Sequence, residues 1–235
     1  SECRTSPFPS HMKIGIDFDN TIALYDSLFW EVAKEEGFIK NDFLPCNKKE
    51  MRSHFRVQED GEKIWMRLQG LVYGKYMHNA GMMPGVANFL VSCKIQNHSI
   101  YIVSHKTEYG HYDPEKISLR GEALKWMESR RFFDSRHFAL KKQNIFFADT
   151  RKEKVEIISH LGCDYFIDDL PEVFDEKSFP KSTKKILFGT FNINRIRDSA
   201  VLDSWRKISK IIIGQKTSND LNAWLSLVLD RPIRY

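Results

Sequence analysis

Short apolar runs alternate with amphipathic stretches along most of the sequence, and this alternation restricts the fold more than any other feature. Five runs have the length and composition of buried strands: 13–16, 100–103, 144–148, 165–167 and 185–188. Strand–helix–strand alternation is typical of an α/β protein whose parallel sheet is covered by helices on both faces. Such sheets bind their ligands at the carboxyl ends of the strands.

Local signals indicate where two of the helices begin. Thr150 with Glu153 three residues later forms a capping box, and Gly162 is a typical helix end, so the sequence predicts a helix between them. The pair Asp113-Pro114 combines a good N-cap with a residue suited to the first helical turn. It therefore predicts the start of a second helix.

The interval 17–104 is too long for one strand–helix–strand unit, which takes about 30 residues. Helical periodicity fills the surplus, and we interpret it as a helical cap inserted after the first strand. Met83-Pro84-Gly85 marks the return to the core, and 86–96 is predicted as the next helix. We expect 1–11 to be a cloning remnant and 12–24 with 79–214 to be the core domain. The inserted cap is 25–78, and 215–235 is a C-terminal tail or helix.

Composition and charge argue against several classes of protein. The formal net charge of the 235 residues is +5, and no basic run is dense enough to indicate nucleic acid. No apolar run approaches the roughly 20 residues of a membrane span. Ser10-His11 before Met12 resembles a cloning remnant, and this N-terminus lacks the hydrophobic segment of a signal peptide. The four cysteines are scattered, so we expect reduced thiols and a cytoplasmic protein.

Acidic residues follow two of the predicted strands. Asp17 and Asp19 follow the first, and Asp168 and Asp169 follow the fourth. Residues i and i+2 of an extended chain point to the same side, so Asp17 and Asp19 are expected to converge. Because close carboxylates repel each other, the arrangement requires a metal ion, a shared proton or both. Hard oxygen ligands suit Mg²⁺, whereas Zn²⁺ would favour the His or Cys residues that this cluster lacks.

A hydroxyl and an ammonium group accompany these acids. Ser104 ends the second predicted strand, and Lys154 lies in the first turns of the helix before the fourth. A transferring phosphoryl group needs such donors around its oxygens. Lys152 is two residues from Lys154 and could take the same place. His105 and Lys106, which follow Ser104, are either further contacts to the substrate phosphate or part of a polar loop.

Two groups of residues in the predicted cap have alternative interpretations. The aromatic residues either line a pocket or form the core of the cap: Trp30, Trp65, Tyr73 and Tyr76. The basic residues could attract an anion, but we interpret them as the solvated face of a helix: Lys48, Lys49, Arg52 and Arg56.

The order of these elements resembles the haloacid dehalogenase-like (HAD) superfamily. The elements are IGIDFDNT at 14–21, IYIVS at 100–104, Lys154 and FIDD at 166–169. The resemblance covers about 13–190 and implies a Rossmann-like parallel sheet with a C1 cap between the first and second motifs. Asn20 stands where the family usually has Gly, but Asn tolerates unusual backbone angles better than most residues.

The resemblance also implies a role for each residue. Asp17 would be the nucleophile that becomes an aspartyl-phosphate. Asp19 would protonate the leaving oxygen and later activate water, and its backbone carbonyl would bind Mg²⁺. Asp169 would be a direct metal ligand, and Asp168 would act directly or through water. Ser104 and Lys154 would hold the phosphoryl oxygens.

We therefore expect a Mg²⁺-dependent phosphatase, a HAD-like phosphoric monoester hydrolase that acts on a small phosphorylated metabolite. Asp19 favours phosphate ester hydrolysis, because family members that dehalogenate lack this second acid. Sugar phosphates are favoured, and a 5′-nucleotidase comes next. The same residues would serve a phosphomutase or another phosphotransferase. A non-catalytic binding or regulatory protein of the same fold is the alternative from another class.

Overall fold

The computed structural model describes residues 11–40, 48–191 and 199–214. Its strands are β1 (Lys13–Ile16), β2 (Ala23–Leu24), β3 (Gly81–Met82), β4 (Ser99–His105), β5 (Ile145–Ala148), β6 (Tyr165–Asp168), β7 (Lys184–Phe188) and β8 (Ser199–Leu202). Its α-helices are α1 (Asp26–Glu35), α2 (Lys48–Arg56), α3 (Gly61–Tyr73), α4 (Val86–Ile95), α5 (Leu119–Ser129), α6 (Arg151–Leu161), α7 (Pro171–Phe174) and α8 (Trp205–Ile212). Two 3₁₀ turns cover Met77–Asn79 and Lys142–Asn144. The predicted tail or helix at 215–235 lies outside the described residues.

Six strands form one parallel sheet in the order β5-β4-β1-β6-β7-β8. Strand β1 lies near its centre, where Ile14 pairs with Ile100 on one side and with Tyr165 on the other. The carboxyl ends of β1, β4 and β6 therefore lie side by side. The predicted α/β fold and the five predicted strands are confirmed. The prediction omits β8, because its partly exposed residues lack the apolar run of a buried strand.

Apolar layers cover both faces of the sheet. Ile102 faces a layer formed with α4, α5 and α8, whereas Val103 faces a layer formed with α6 and α7. Strands that are buried on both faces read as continuous apolar runs, which is why periodicity revealed them. None of the helices in the described part of the chain combines the length and the apolarity needed to cross a bilayer.

The capping box at Thr150 is confirmed. The backbone N–H of Glu153 donates to Thr150 Oγ1 at 3.1 Å, and the Glu153 carboxylate accepts from the backbone N–H of Asp149 at 2.7 Å. Helix α6 ends before Gly162, which has a φ of +60°. These local signals fix the start of α6 and therefore the direction in which its first turns face the sheet.

The predicted helix start at Asp113-Pro114 is wrong. The Asp113 carboxylate accepts from the backbone N–H groups of Glu115 and Ile117, so it closes a turn instead of capping a helix. Helix α5 begins later, where Ser118 Oγ accepts from the backbone N–H of Gly121 at 2.9 Å. An Asx turn and an N-cap use the same carboxylate-to-backbone hydrogen bonds, so the local sequence does not separate them.

Helices α1, α2 and α3, here called the helical insert, lie between the short strands β2 and β3. These two strands pair antiparallel, with Ala23 opposite Met82 and Leu24 opposite Gly81. The two ends of the segment that carries the insert are thus hydrogen-bonded to each other. Inside the insert, Phe29 of α1 stacks on Trp65 of α3 with a ring centroid distance of 5.3 Å.

Helix α8 supports the turn that follows β1. The Trp205 indole donates to the backbone carbonyl of Thr21 at 2.9 Å. Its ring packs against Phe89 at 5.0 Å and Phe188 at 5.9 Å between centroids. The segment that carries Asp17 and Asp19 is therefore anchored to the core on its outer side.

Close packing against β1 leads to a stability prediction. A Cβ atom on Gly15 would lie 2.4 Å from Phe166 Cδ2 and 3.0 Å from Cys163 Sγ. We expect Gly15→Ala to lower the free energy of unfolding in urea by about 1–3 kcal/mol, because overpacking displaces neighbours in a dense core. Gly81→Ala is the control, since its Cβ would meet Leu24 at an ordinary 3.7 Å. Equal losses in both variants would contradict this explanation.

Candidate active site

Three carboxylates meet at the carboxyl ends of β1 and β6. Asp17 follows β1, Asp168 ends β6, and Asp169 comes next. One carboxylate oxygen from each lies within 4.8 Å of the others. The backbone N–H of Asp17 donates to the carbonyl of Ile167 at 2.8 Å, so the pairing of β1 with β6 continues as far as the acids. Parallel pairing of the two strands thus brings the three side chains together.

Lys154 lies between two of these carboxylates. Its Nζ donates to Asp17 Oδ1 at 2.5 Å and to Asp168 Oδ2 at 2.6 Å, and the side chain is buried. Lys152 points outward instead, with 79% of its side chain exposed and its Nζ 3.9 Å from Glu156. The structure therefore places Lys154 in the cluster and Lys152 on the surface.

Burial and repulsion perturb the ionisation of the cluster. Burial raises the pKa of Asp17 to about 7; Lys154 opposes this rise, whereas Asp168 and Asp19 add to it. Burial, followed by the charges of Asp17 and Asp168, raises the pKa of Asp169 to about 8. Burial alone would lower the pKa of Lys154, but Asp168 and Asp17 outweigh it and raise that pKa above its usual range.

The donor set of this cluster fits a hard divalent cation. Its three carboxylates offer only oxygen ligands, as Mg²⁺ prefers. The two Asp168 oxygens already accept from Lys154 and from the backbone N–H of Leu170. Asp169 makes no hydrogen bond or ion pair to any other described residue. An added cation would favour the ionised acids and lower the raised pKa values of Asp17 and Asp169.

Asp19 has a different environment from Asp17. Lys106 Nζ lies 2.8 Å from Asp19 Oδ2, and the Tyr25 hydroxyl donates to Asp19 Oδ1 at 2.5 Å. Asp17 and Asp19 lie in the segment that follows the end of β1 at Ile16. Both acids line the same cavity, but Asp19 stays outside the group of three carboxylates.

The turn after β1 depends on a left-handed residue. Asn20 has a φ of +60°, a region that Gly occupies easily and Asn better than most other residues. Asn20 thus adopts one of the unusual backbone angles that Asn tolerates better than most residues. Its backbone N–H donates to the carbonyl of Ala23 at 2.9 Å, which closes the turn beneath Asp19.

Ser104 lies at the predicted strand end but has no partner there. It is buried near the end of β4, and its Oγ makes no hydrogen bond to the described residues. A buried hydroxyl without a partner is uncommon and calls for a ligand or water. The next three residues, His105, Lys106 and Thr107, line the cavity beside the acids, whereas Ser104 does not.

A cavity of about 310 Å³ lies between the sheet and the helical insert. Its core wall carries Asp17, Asp19, Lys106, Lys154 and Asp169. The insert contributes Lys48, Met66, Gln69, Gly70 and Tyr73. A wider groove of about 750 Å³ elsewhere on the surface, near Phe38 and Tyr112, contains none of the predicted site residues.

The structure corrects the interpretation of Lys48. The sequence places it on a solvated helix face, but its Nζ donates to the Tyr73 hydroxyl at 2.8 Å and lines the cavity. Burial lowers its pKa, and the charges of Asp19 and Asp169 act in the opposite direction. Arg52 and Arg56 fit the solvated-face interpretation: their side chains are 44% and 54% exposed, and both pair with Glu62.

The aromatic residues of the insert divide between the two interpretations. Tyr73 lines the cavity, and its ring centroid lies 4.5 Å from Lys106 Nζ. Trp65 is buried in the insert, and the buried Tyr76 donates to two glutamates of the α1 end. The sequence shows that these residues are aromatic, but it does not tell which of them meets the core domain.

Comparison with known proteins identifies the fold. The solved structures that match include a haloacid dehalogenase-like family hydrolase from Streptococcus pneumoniae, which is 12% identical, covers 86% of this chain and 98% of its own, and has a TM-score of 0.54. Another is a HAD family hydrolase from Deinococcus radiodurans with bound phosphate and sodium, which is 11% identical, covers 90% of this chain and 97% of its own, and has a TM-score of 0.53. A third, from Thermotoga maritima and provisionally named a β-phosphoglucomutase, is 11% identical, covers 86% of this chain and 98% of its own, and has a TM-score of 0.52. This chain has the HAD fold. The fold expected from the four sequence motifs is thereby confirmed.

A sequence relative of this HAD-fold chain comes from Oceanobacillus iheyensis and is provisionally named a nucleotidase. The two are 26% identical over 195 residues, which cover 80% of this chain and 92% of the relative. No family model matches the chain. The relative and the solved structures each match over most of this chain.

The bridging lysine of this HAD fold gives a stability prediction with a matched control. We expect Lys154→Met to lower the free energy of unfolding by about 3–5 kcal/mol, because it leaves the buried Asp17 and Asp168 charges uncompensated. Lys152→Met should change it by no more than about 0.5 kcal/mol, as is usual for surface substitutions. Urea denaturation in EDTA measures both. A similar effect of the two substitutions would refute the placement of Lys154.

Proposed function

We propose that this protein is a Mg²⁺-dependent phosphatase that hydrolyses a small phosphomonoester through an aspartyl-phosphate on Asp17. One observation carries the proposal: three carboxylates and a buried lysine gather at the strand ends, with a second acid, Asp19, held beside them. A turn acid or a helix cap needs no such cluster. The HAD fold of the chain supports this interpretation.

The metal would be held by side chains of this cluster. Asp17 and Asp169 would bind it directly, Asp168 directly or through water, and Asp19 through its backbone carbonyl. When bound, the ion would offset the negative charge of the acids and of the phosphoryl oxygens. Asp169 is the acid best placed for this task, since its carboxylate has no other partner among the described residues.

The first half of the reaction would transfer the phosphoryl group to the protein. The ionised Asp17 carboxylate attacks phosphorus, the bond between phosphorus and the ester oxygen breaks, and Asp19 donates a proton to the departing oxygen. Lys154 would bind phosphoryl oxygens, and so would the Ser104 hydroxyl, which has no hydrogen-bond partner among the described residues. Lys106 and Tyr25 hold the Asp19 carboxylate in position.

The second half would restore the enzyme. Asp19, now ionised, removes a proton from a water molecule, and that water attacks the phosphorus of the aspartyl-phosphate. The bond between phosphorus and the Asp17 oxygen breaks, which releases inorganic phosphate and the free carboxylate. His105 and Lys106 stay candidates for contact with substrate phosphate, since both line the cavity.

The size of the cavity supports a small substrate. Ligand cavities usually measure about 300–1,000 Å³, and about 310 Å³ lies at the lower limit. A cap formed by 25–78 would cover the site and keep bulk water out during the reaction. The preference for a sugar phosphate stays a prediction.

A 5′-nucleotidase is the second candidate, and the relative from Oceanobacillus iheyensis favours it. A phosphomutase or another phosphotransferase would use the same acids but pass the phosphoryl group to an acceptor other than water. Release of inorganic phosphate distinguishes hydrolysis from such transfer. The complete set of acids weighs against a non-catalytic binding or regulatory protein.

The central test is phosphate release from a panel of sugar phosphates and nucleoside monophosphates with Mg²⁺. We expect EDTA to abolish the activity and Mg²⁺ to restore it. Asp17→Asn should abolish it as well, because an amide is a poor nucleophile. Asp203→Asn, which changes an exposed acid paired with Lys207, should leave the rate unchanged. Full activity of Asp17→Asn would exclude Asp17 as the nucleophile.

A second experiment separates the two acids. Asp19→Asn should lose turnover by about 100-fold or more, because the proton donor and base is missing. With a substrate whose leaving group needs no proton, such as 4-nitrophenyl phosphate, the variant should still accumulate phosphorylated protein, detected by intact mass. Asp17→Asn should accumulate none. Accumulation in Asp17→Asn but not in Asp19→Asn would reverse the two assignments.

A further inference from the structure

Lys48 is a cation of the cavity that has no carboxylate partner among the described residues. Four lysine and arginine side chains line the cavity, and the other three are paired within the described part of the chain. The paired side chains are Lys154 with Asp17 and Asp168, Lys106 with Asp19, and Arg151 with Glu176. Lys48 makes no ion pair with any described residue, although it is half-buried.

The groups in contact with Lys48 carry no net negative charge, and Asp19 and Asp169 act on it from beyond ion-pair distance. Its Nζ donates to the Tyr73 hydroxyl at 2.8 Å and lies 4.9 Å from the ring centroid of Phe29 and 5.5 Å from that of Tyr73. Aromatic rings attract a cation and hold it in place, but they carry no net negative charge. An ammonium group that has lost part of its water gains most from a charged acceptor.

The position of Lys48 determines which part of a substrate it meets. Asp17 belongs to the core wall of the cavity, whereas Lys48 belongs to α2 of the helical insert. In phosphoryl transfer the attacking and leaving oxygens lie roughly in line with phosphorus. A leaving group displaced by Asp17 therefore points away from β1 and toward the insert. Lys48 would meet the leaving group and not the transferred phosphoryl group.

We propose that Lys48 selects phosphomonoesters whose leaving group carries a carboxylate. The inference rests on the proposed phosphatase function and adds a substrate class to it. A carboxylate is the anion that fits the limited space, because the cavity of about 310 Å³ must also hold the phosphoryl group. It would complete an ion pair with Lys48 in the same way that the other cations of the cavity are paired with acids.

Two substrates that differ in one group test the proposal. 3-Phosphoglycerate carries a carboxylate where sn-glycerol 3-phosphate carries a hydroxymethyl group. The protein should show a KM roughly tenfold or more lower for 3-phosphoglycerate, as expected for a charge-assisted hydrogen bond. Lys48→Met should remove this preference by raising KM for 3-phosphoglycerate, whereas kcat and KM for sn-glycerol 3-phosphate should not change.

Two further variants control for charge and for folding. Lys48→Arg keeps the charge and should keep at least part of the preference. Lys34→Met changes an exposed lysine of α1 and should behave like the unmodified protein. A loss of kcat of equal size for both substrates in Lys48→Met would overturn the proposal, since Lys48 would then act on the transferred phosphoryl group. An unmodified protein without preference between the substrates would also overturn it.

A binding measurement separates this proposal from the proposed function. Asp17→Asn should still bind 3-phosphoglycerate more tightly than sn-glycerol 3-phosphate in isothermal titration calorimetry, and Asp17→Asn with Lys48→Met should not. Preferential binding that depends on Lys48, without phosphate release by the unmodified protein, would sink the phosphatase but support the role of Lys48. Phosphate release without such preferential binding would support the phosphatase and overturn the proposed role of Lys48.

Discussion

The double ion pair of Lys154 with Asp17 and Asp168 is the interaction on which the rest of the site depends. It joins helix α6 to the ends of the two central strands, β1 and β6, and all three side chains are buried. Carboxylates buried this closely would otherwise be protonated or drive the strand ends apart. The ammonium group that stabilises this part of the fold is also the proposed ligand of the phosphoryl oxygens, so stability and chemistry share one side chain.

Two acids separated by a single residue have distinct surroundings. Asp17 is buried with other carboxylates, whereas Asp19 is held by Lys106 and Tyr25 away from that cluster. Differences of environment of this kind allow one carboxylate to work as a nucleophile and another to carry protons. The difference follows from their partners, because Lys106 and Tyr25 contact Asp19, whereas Lys154 contacts Asp17.

How much of the structure could be predicted depends on how far apart in the sequence the interacting residues lie. The strands, the HAD fold and the capping box at Thr150 were predictable, since apolar runs, motif order and capping residues are all visible in the sequence. The helix start predicted at Asp113 was wrong because a turn and a helix cap use the same local hydrogen bonds. The solvated position predicted for Lys48 was wrong because an amphipathic pattern identifies a polar helix face but not what that face contacts. The contact of Asp19 with Lys106 joins distant segments and leaves no local signal.

The short ribbon of β2 and β3 gives the insert a narrow stem. The chain leaves the core at Leu24 and returns at Gly81, and these two residues lie opposite each other in the β2–β3 pair. The two ends of the insert are therefore as close together as the ends of a short loop. Helices beyond such a stem can lengthen, shorten or be exchanged without straining the strands that hold the acids. The part of the molecule that is proposed to meet the leaving group is therefore free to diversify, while the part that is proposed to attack phosphorus is not.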